Sequence, residues 1–234
     1  MSQTTLNLVA IGIFATVMSS LLGPLFGISP AIPAVTIFGV LSLATADIFA
    51  WRGQLGTLIV DWFEQFSDDY RDRILHHEAG HFLVAYLLEI PITGYTLNAW
   101  QAFRTGQPGR GGVSFDDQAL NQELRTGELS GRSLDRYCTV WMAGAAAEKL
   151  VYGDVKGGDD DRDKLRLLWT QLRRPADEGS LKLRWSTLKA RTLLETHRAA
   201  YDALVSAMRE NASVDDCCQL LANTVEGEDE AIAA

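Results

Sequence analysis

The chain has 234 residues, which is enough for one ordinary domain and an accessory segment. Its formal net charge is −9, which argues against a nucleic-acid partner because binding to phosphates needs clustered cations. The three cysteines, Cys138, Cys217 and Cys218, are an odd number without zinc-ribbon spacing, so we expect reduced structural thiols rather than a disulfide framework.

The first fifty residues are far more apolar than the rest. Up to Trp51 the only charged side chain is Asp47. The apolar runs 6–26 and 34–51 are each about long enough to span a bilayer core, and a short connector joins them. Neither the charged n-region nor the cleavage site of a signal peptide is visible. Residues 1–52 therefore predict a transmembrane helical hairpin, with both ends on the same side of the membrane.

Charges near the second span bear on its surroundings. A carboxylate is costly in lipid, but Asp47 lies about one helical turn from the interface, so we expect it to reach the headgroups rather than to pair within the chain. Arg52, Arg71 and Arg73 follow the second span and favour a cytoplasmic location for the domain beyond it. The reduced cysteines agree with this orientation.

The remaining chain predicts a mainly helical domain with a small β element. Residues 53–70 predict an amphipathic linker helix at the membrane surface. Residues 71–89 predict a buried helix, because apolar side chains surround most of its circumference. Two short strands are expected beyond it, on either side of a loop rich in glycine and proline. The strands are expected at 94–100 and 111–115, further helices at 133–153, 159–174 and 177–210, and a short helix with an acidic flexible tail at 213–234.

The sequence HHEAGH, at residues 76–81, contains three of the four histidines. His77, Glu78 and His81 match the pattern HExxH. On a helix, positions i and i+4 share one face, so two imidazoles there can bind one zinc ion. A carboxylate beside the first histidine can take a proton from a zinc-bound water, which is why this pattern is typical of metal-dependent hydrolysis.

The surroundings of the motif favour a metal site over a chance match. Apolar residues lie on both sides, and buried histidine and glutamate side chains are costly unless they are paired or bound to metal. The small pair Ala79 and Gly80 predicts that another element packs against this turn, because glycine inside a helix costs about 1 kcal/mol relative to alanine. His76 points away from the ligand face, so we expect a structural role for it.

A catalytic zinc site needs a third protein ligand and an open fourth position. His197 lies far away, in a long amphipathic helix. Carboxylates are the remaining option, and the segment GGDDDRDK contains several of them. An acidic first turn is also an ordinary way to begin a helix, and composition alone does not choose between the two. The candidates are Asp159, Asp160, Asp161 and Asp163.

Three stretches together resemble the FtsH-type zinc metallopeptidase family. HEAGHFLVAYL (77–87) is similar to its zinc helix, AGAAAEKLVYGDV (143–155) to its helix of small residues, and GGDDDRDKLR (157–166) to the segment whose final aspartate binds zinc. The resemblance covers roughly residues 70 to 210. It implies a Zn²⁺ ion held by His77, His81 and Asp161, with Asp160 as the alternative third ligand. It also implies that Glu78 is the general base and that Glu148 supports the site without binding metal.

The resemblance implies an α-helical zinc peptidase domain at 71–212 behind the transmembrane hairpin. FtsH proteases carry an ATPase module between anchor and peptidase, whereas about twenty residues separate the two here, and the chain contains no P-loop. It therefore resembles the short relatives without ATPase that are associated with photosynthetic organisms. We expect a membrane-anchored zinc metalloendopeptidase that cleaves flexible or unfolded protein segments. Its peptidase domain would lie on the cytoplasmic or stromal side of a plasma or thylakoid membrane.

Partners follow from the same resemblance. Protein or peptide substrates could pair with the strand at 111–115, and the chain could form a homo-oligomer or join an FtsH-type ATPase partner. A catalytically silent scaffold that assembles with full-length FtsH-type proteases is the main alternative, although such a protein has no need of Glu78. An intramembrane protease of the site-2 type is disfavoured, because charged residues surround the motif and no later apolar span follows.

Overall fold

The structure is a computed structural model that describes residues 3–27, 29, 31–51, 68–97 and 112–233. Two compact units are present among the described residues. The first contains residues 3–51, and the second contains residues 69–97 and 112–233. Nearly all of the linker helix expected at 53–70 lies outside the described residues, as does the loop between the two expected strands.

The first unit contains two apolar helices, α1 (Gln3–Leu22) and α2 (Ala31–Trp51), with a 3-10 turn at Gly23–Phe26 between them. Val9–Phe26 and Ala31–Ala50 are long and apolar enough to cross a membrane, with mean hydropathies of 2.0 and 1.8. Only 6% and 11% of these stretches are buried within the chain, unlike the core helix of a soluble protein. By length and composition, the pair of apolar helices matches the expected hairpin.

Asp47 corrects one detail of the expectation for this unit. Its side chain is 5% exposed, so it is buried within the chain rather than extended outward from α2. It also has an interaction partner in the chain. Burial against a partner avoids the cost of placing a lone carboxylate among apolar surroundings.

The second unit is built from helices and one small sheet. Helix α3 (Asp68–Leu87) carries the HHEAGH segment, and its bounds agree closely with the expected 71–89. The other elements, in chain order, are β1 (Ile92–Thr96), β2 (Gly112–Phe115), α4 (Gln118–Thr126), α5 (Gly131–Tyr152), α6 (Asp159–Gln171), α7 (Ala176–Thr196), α8 (Arg198–Arg209) and α9 (Val214–Ala233).

Strands β1 and β2 pair in antiparallel register, with Tyr95 opposite Val113 and Thr96 opposite Gly112. The first strand begins two residues earlier than expected, directly after Pro91. Because Glu89 adopts a positive φ of 53°, the chain turns sharply at the end of α3 and enters the strand early. Within the described residues, β2 pairs only with β1.

Helix α3 lies in the centre of the main core. The expectation that it is buried is confirmed, because Phe82, Leu83 and Val84 are fully covered. Side chains from α4, α5, α7, α8 and α9 complete this cluster, including Tyr201, Leu204 and Met208. A smaller cluster joins α5 to α6 through Leu134, Cys138, Met142, Leu165, Leu168 and Trp169.

Several helix boundaries differ from the expectation. The single helix expected at 177–210 is broken at His197, whose φ of −106° and ψ of 49° are not helical. The sequence conceals this break because buried positions at Ala190, Leu194, Tyr201 and Leu204 keep a helical spacing across it. Helix α5 begins earlier than expected, because Ser130 and not Ser133 caps it and accepts a hydrogen bond from the Ser133 amide at 3.0 Å.

The C-terminal segment also differs. A short helix and a flexible acidic tail were expected at 213–234, but α9 continues as one helix to Ala233. Glutamate and alanine are good helix formers, so Gly227 alone does not end the helix. Helix α4 was not anticipated from the sequence. Leu120 and Leu124, spaced i and i+4, are its large apolar residues, and both pack in the main core.

Candidate metal centre

Helices α3 and α6 bring three ligand-type side chains to one point. The Nε2 atoms of His77 and His81 lie 3.3 Å and 3.2 Å from the Oδ2 atom of Asp161. The three potential ligand atoms all lie within 4.8 Å of one another, and all three residues are buried. Among the described residues, this is the group of histidine, cysteine and carboxylate side chains that could hold a metal ion.

The other imidazole nitrogens fix which nitrogen faces the cluster. Nδ1 of His77 lies 2.7 Å from Oε1 of Glu148, and Nδ1 of His81 lies 2.7 Å from the backbone carbonyl of Val140. A carboxylate and a carbonyl only accept hydrogen bonds, so both Nδ1 atoms carry the hydrogen. In the neutral rings each Nε2 then presents a lone pair. Two nitrogen lone pairs and a carboxylate oxygen therefore converge, and such a group could hold a metal ion.

The pKa values of His77 and Asp161 are both shifted toward the charged form of the side chain. Burial alone would lower the pKa of His77, but hydrogen bonds to Asp161 and Glu148 outweigh it and raise that pKa to about 10. Burial alone would raise the pKa of Asp161, but the charge of His81 and the hydrogen bonds of both imidazoles hold it well below its usual range. Both shifts favour positive charge on the imidazoles beside an ionised Asp161.

Glu148, on α5, anchors His77 from behind. It is 1% exposed, and besides His77 its carboxylate accepts hydrogen bonds from the Arg73 guanidinium at 2.9 Å and the Lys156 amide at 2.8 Å. Burial would raise the pKa of Glu148, yet the bonds from His77, Lys156 and Arg73 lower it to about 2. The lowered pKa favours an ionised Glu148, and its hydrogen bond orients the His77 ring, as carboxylates commonly do for metal-bound histidines.

Small residues on α5 make room for the cluster. A Cβ atom on Gly80 would lie 2.7 Å from the Ala147 Cβ and 2.8 Å from the Ala143 carbonyl oxygen, so the expectation that another element packs against this turn is confirmed. A Cβ on Gly144 would lie 2.3 Å from Nε2 of His77 and 2.5 Å from Nε2 of His81. The space that Gly144 leaves is thus directly in front of both nitrogens.

Glu78 projects toward strand β2 instead of joining the cluster. Its Oε2 atom accepts a hydrogen bond from the Val113 amide at 2.9 Å. Gly112 lies close by with a φ of 140°, a conformation that residues with side chains rarely adopt. Val113 lies opposite Tyr95 in the sheet, and its amide is engaged by Glu78 of α3. A carboxylate and a strand edge therefore lie beside the histidines.

The aspartates at the start of α6 differ in burial. Asp161 is buried at the cluster, whereas Asp159, Asp160 and Asp163 are exposed. The structure thus brings Asp161 to the histidines and leaves Asp160 outside. Lys164 Nζ lies 2.9 Å from the other oxygen of Asp161, Oδ1. This leaves Oδ2 facing the two imidazoles.

Two histidines lie outside the cluster. Nδ1 of His76 donates to the Tyr201 hydroxyl at 2.9 Å, and that hydroxyl donates to the His76 carbonyl at 3.0 Å, so His76 ties α3 to α8. His197 is buried at the break between α7 and α8. The sequence reading missed Lys164 and Arg73. The i,i+3 spacing of Lys164 from Asp161 was a local signal, whereas nothing in the sequence pairs Arg73 with Glu148.

No protein-family model matches the sequence, and no curated protein matches it. The site is therefore defined by its own geometry. A buried His–His–Asp group that could hold a metal ion lies beside a glutamate and a strand edge, in a chain that also carries two helices apolar enough to span a membrane.

Proposed function

We propose that this chain is a membrane-anchored zinc metalloendopeptidase, which cleaves flexible or unfolded protein segments without an ATPase of its own. One observation carries the proposal. The Nε2 atoms of His77 and His81 and Oδ2 of Asp161 converge, with both imidazoles held in the tautomer that a metal requires. Glu78 of the same HExxH motif lies alongside.

The donor set fits zinc. Two imidazole nitrogens and one carboxylate oxygen form a three-ligand set typical of catalytic zinc, which keeps its fourth position open. The buried surroundings also suit a small cation that needs no additional protein oxygens. His77, His81 and Asp161 would hold the ion, while Glu148 and the Val140 carbonyl fix the imidazoles. When bound, zinc polarises a carbonyl and acidifies a water molecule.

The chain's own residues would handle the proton and the substrate. Glu78 is half-buried and accepts a hydrogen bond from the Val113 amide, and its carboxylate would take a proton and later return it to the leaving amine. A substrate strand would add to β2 at Val113, whose amide is hydrogen-bonded to Glu78 in the structure. An extended polypeptide can add to a strand edge through backbone hydrogen bonds, which selects for flexible segments over folded ones.

The apolar helices supply the membrane part of the proposal. Two stretches long enough to cross a bilayer would confine the peptidase to substrates near its surface. The arginines after α2 favour a cytoplasmic or stromal location, in a plasma or thylakoid membrane. The resemblance to FtsH-type proteases supports the same class, with the ATPase module missing. Unfolding would then come from elsewhere, either from substrates that are already flexible or from a partner ATPase.

The test is cleavage of an unfolded protein by the purified full chain in detergent, loaded with zinc and without ATP. Glu78→Gln is the decisive variant, and Glu128→Gln, which alters an exposed glutamate, is its matched control. We expect wild type and control to cleave, and Glu78→Gln to bind zinc without cleaving. If all three bind zinc and none cleaves, the chain is a scaffold or depends on a partner, and the proposal of a self-sufficient peptidase is wrong.

A further inference from the structure

Helix α7 has an apolar face that the rest of the second unit leaves uncovered. Leu181, Trp185 and Leu188 are 56%, 62% and 54% exposed. Their spacing of i, i+4 and i+7 places them on one side of the helix, which we call the α7 face. The opposite side is buried and includes Gly179, Ser186, Ala190 and Leu194. In the described part of this unit, only Val155 and Leu167 are comparably exposed large apolar residues.

Cations flank this face on both sides. The segment from Gly179 to Leu194 contains no acidic residue, although the whole chain has a net charge of −9. Asp135, from α5, forms ion pairs with both Lys182 and Lys189 and so neutralises one of their two charges. Glu195 pairs with Arg191. Asp177 and Glu178 lie in the first turn of α7, before the stripe, and beyond that turn a net positive charge remains beside Trp185 and Leu188. The four cations are Lys182, Arg184, Lys189 and Arg191.

We propose that the α7 face rests on an anionic lipid surface. Leu181 and Leu188 would enter the boundary between headgroups and acyl chains, where apolar side chains of interfacial helices lie. Trp185 is amphipathic and suits the interface itself, and Arg184 would contact lipid phosphates. The inference rests on the membrane association in the proposed function and is independent of the chemistry at His77.

A lipid surface fits this face better than a second copy of the chain. Stable protein interfaces bury about 800 Å² on each partner, and a stripe of three side chains offers a fraction of that area. Lipid contact can be much weaker and still matter, because the domain is tethered. Sixteen residues separate α2 from α3, and an extended chain of that length spans at most roughly 55–60 Å. The tether keeps the effective lipid concentration high.

Trp185 itself reports the contact. The full chain is reconstituted in phosphatidylcholine vesicles with or without phosphatidylglycerol, using lipids with brominated acyl chains that quench tryptophan. The emission that wild type has and Trp185→Phe lacks isolates this residue from the other tryptophans. We expect brominated lipid to quench this emission, more strongly when phosphatidylglycerol is present. Quenching should decrease in Arg184→Glu and in Leu181→Ser/Leu188→Ser, while the matched control Leu167→Ser keeps it.

Three outcomes would overturn the inference. If acrylamide quenches Trp185 equally in vesicles and in detergent while brominated lipid does not, the face is in water. If Trp185 is shielded from both quenchers, a second copy or another part of the chain covers it. If the chain does not float with the vesicles after an alkaline wash, it is not anchored in the membrane, and the inference is wrong. Cleavage in detergent is a separate readout, so the peptidase proposal stands or falls on its own.

Discussion

The Nδ1 atom of His77 lies 2.7 Å from Oε1 of Glu148, although 71 positions separate the two residues in the chain. Replacing Glu148 by glutamine removes the charge and places an amide among donors, since Lys156 and Gly157 both donate backbone hydrogen bonds to this group. We expect Glu148→Gln to lower zinc affinity about 10- to 100-fold, measured by competition with a chelator. Asp154→Asn, which alters the exposed partner of the same arginine, should change it little. Equal losses in both variants would contradict the role given to Glu148.

Lys164 contacts Asp161, the proposed third ligand, from the solvent side. Its side chain is 53% exposed, so its ion pair with Asp161 is partly screened. Exposed ion pairs contribute about 0.2–1 kcal/mol, so Lys164→Met should lower zinc affinity by less than about fivefold. Arg166→Met breaks the neighbouring Arg166–Asp163 pair and should leave zinc affinity unchanged. A loss as large as that of Glu148→Gln would show that Lys164 does more than orient one oxygen.

Gly144 keeps the space in front of the imidazoles empty. In Gly144→Ala the new methyl group would lie within 2.5 Å of both Nε2 atoms, so we expect the variant to lose zinc binding while circular dichroism shows a folded protein. Gly131→Ala, on the same helix in open space, is the matched control and should bind zinc like wild type. Stoichiometric zinc in Gly144→Ala would mean that the ion does not lie between these nitrogens.

Gly80 sets how closely α3 approaches α5. Gly80→Ala overfills this contact, and such changes typically cost about 1–3 kcal/mol. We expect a lower thermal midpoint in detergent. Adding Ala147→Gly should restore part of the lost stability, because it removes one clashing methyl group. The clash with the Ala143 carbonyl oxygen at 2.8 Å remains, so the restoration should be incomplete. If the two changes are simply additive, the helices have moved apart and the close approach is not required.

Asp135 links α5 to α7 through Lys182 and Lys189. The hydrogen bond from Lys182, opposed by burial and aided by Lys189, lowers the pKa of Asp135 below its ordinary value of 3.8. A lowered pKa in the folded state adds stability above the ordinary value, and this stability is lost as the pH falls through the lowered one. Asp135→Asn should therefore reduce the thermal midpoint at neutral pH, with the gap to wild type closing in acid.

Asp163→Asn is the control for this pH dependence. Asp163 pairs with Arg166 on the same helix, so replacing it breaks no contact between helices. The thermal midpoint at neutral pH should therefore fall less than in Asp135→Asn. A gap between wild type and Asp135→Asn that persists in strong acid would mean that packing, and not charge, explains the difference.

Local pattern was sufficient for part of this structure. The apolar runs gave the helices of the first unit, and the spacing of His77 and His81 placed both on one face of a buried helix, because these features depend only on neighbours along the chain. Sequence spacing also suggested that Gly80 serves a close contact. None of these inferences required knowledge of which helix packs where.

Tertiary contacts decided the rest. Which aspartate reaches the histidines depends on the rotation of α6 about its axis, which follows a left-handed turn at Gly158 with a φ of 78°. The sequence left Asp160 and Asp161 open for this reason. The break at His197 is likewise invisible, because the buried spacing continues through it. Arg73 meets Glu148 only after α3 and α5 pack together.

The hydrogen bond between the Val113 amide and Glu78 would link substrate docking to the release of the Glu78 carboxylate. In the proposed peptidase, a substrate strand that adds to β2 would need this amide as a donor, and its hydrogen is already engaged. A polypeptide that docks there must take this hydrogen and so releases the carboxylate. Docking and liberation of the base would then be a single event. The resting protein would be self-restrained, and only a segment able to complete the sheet would switch it on.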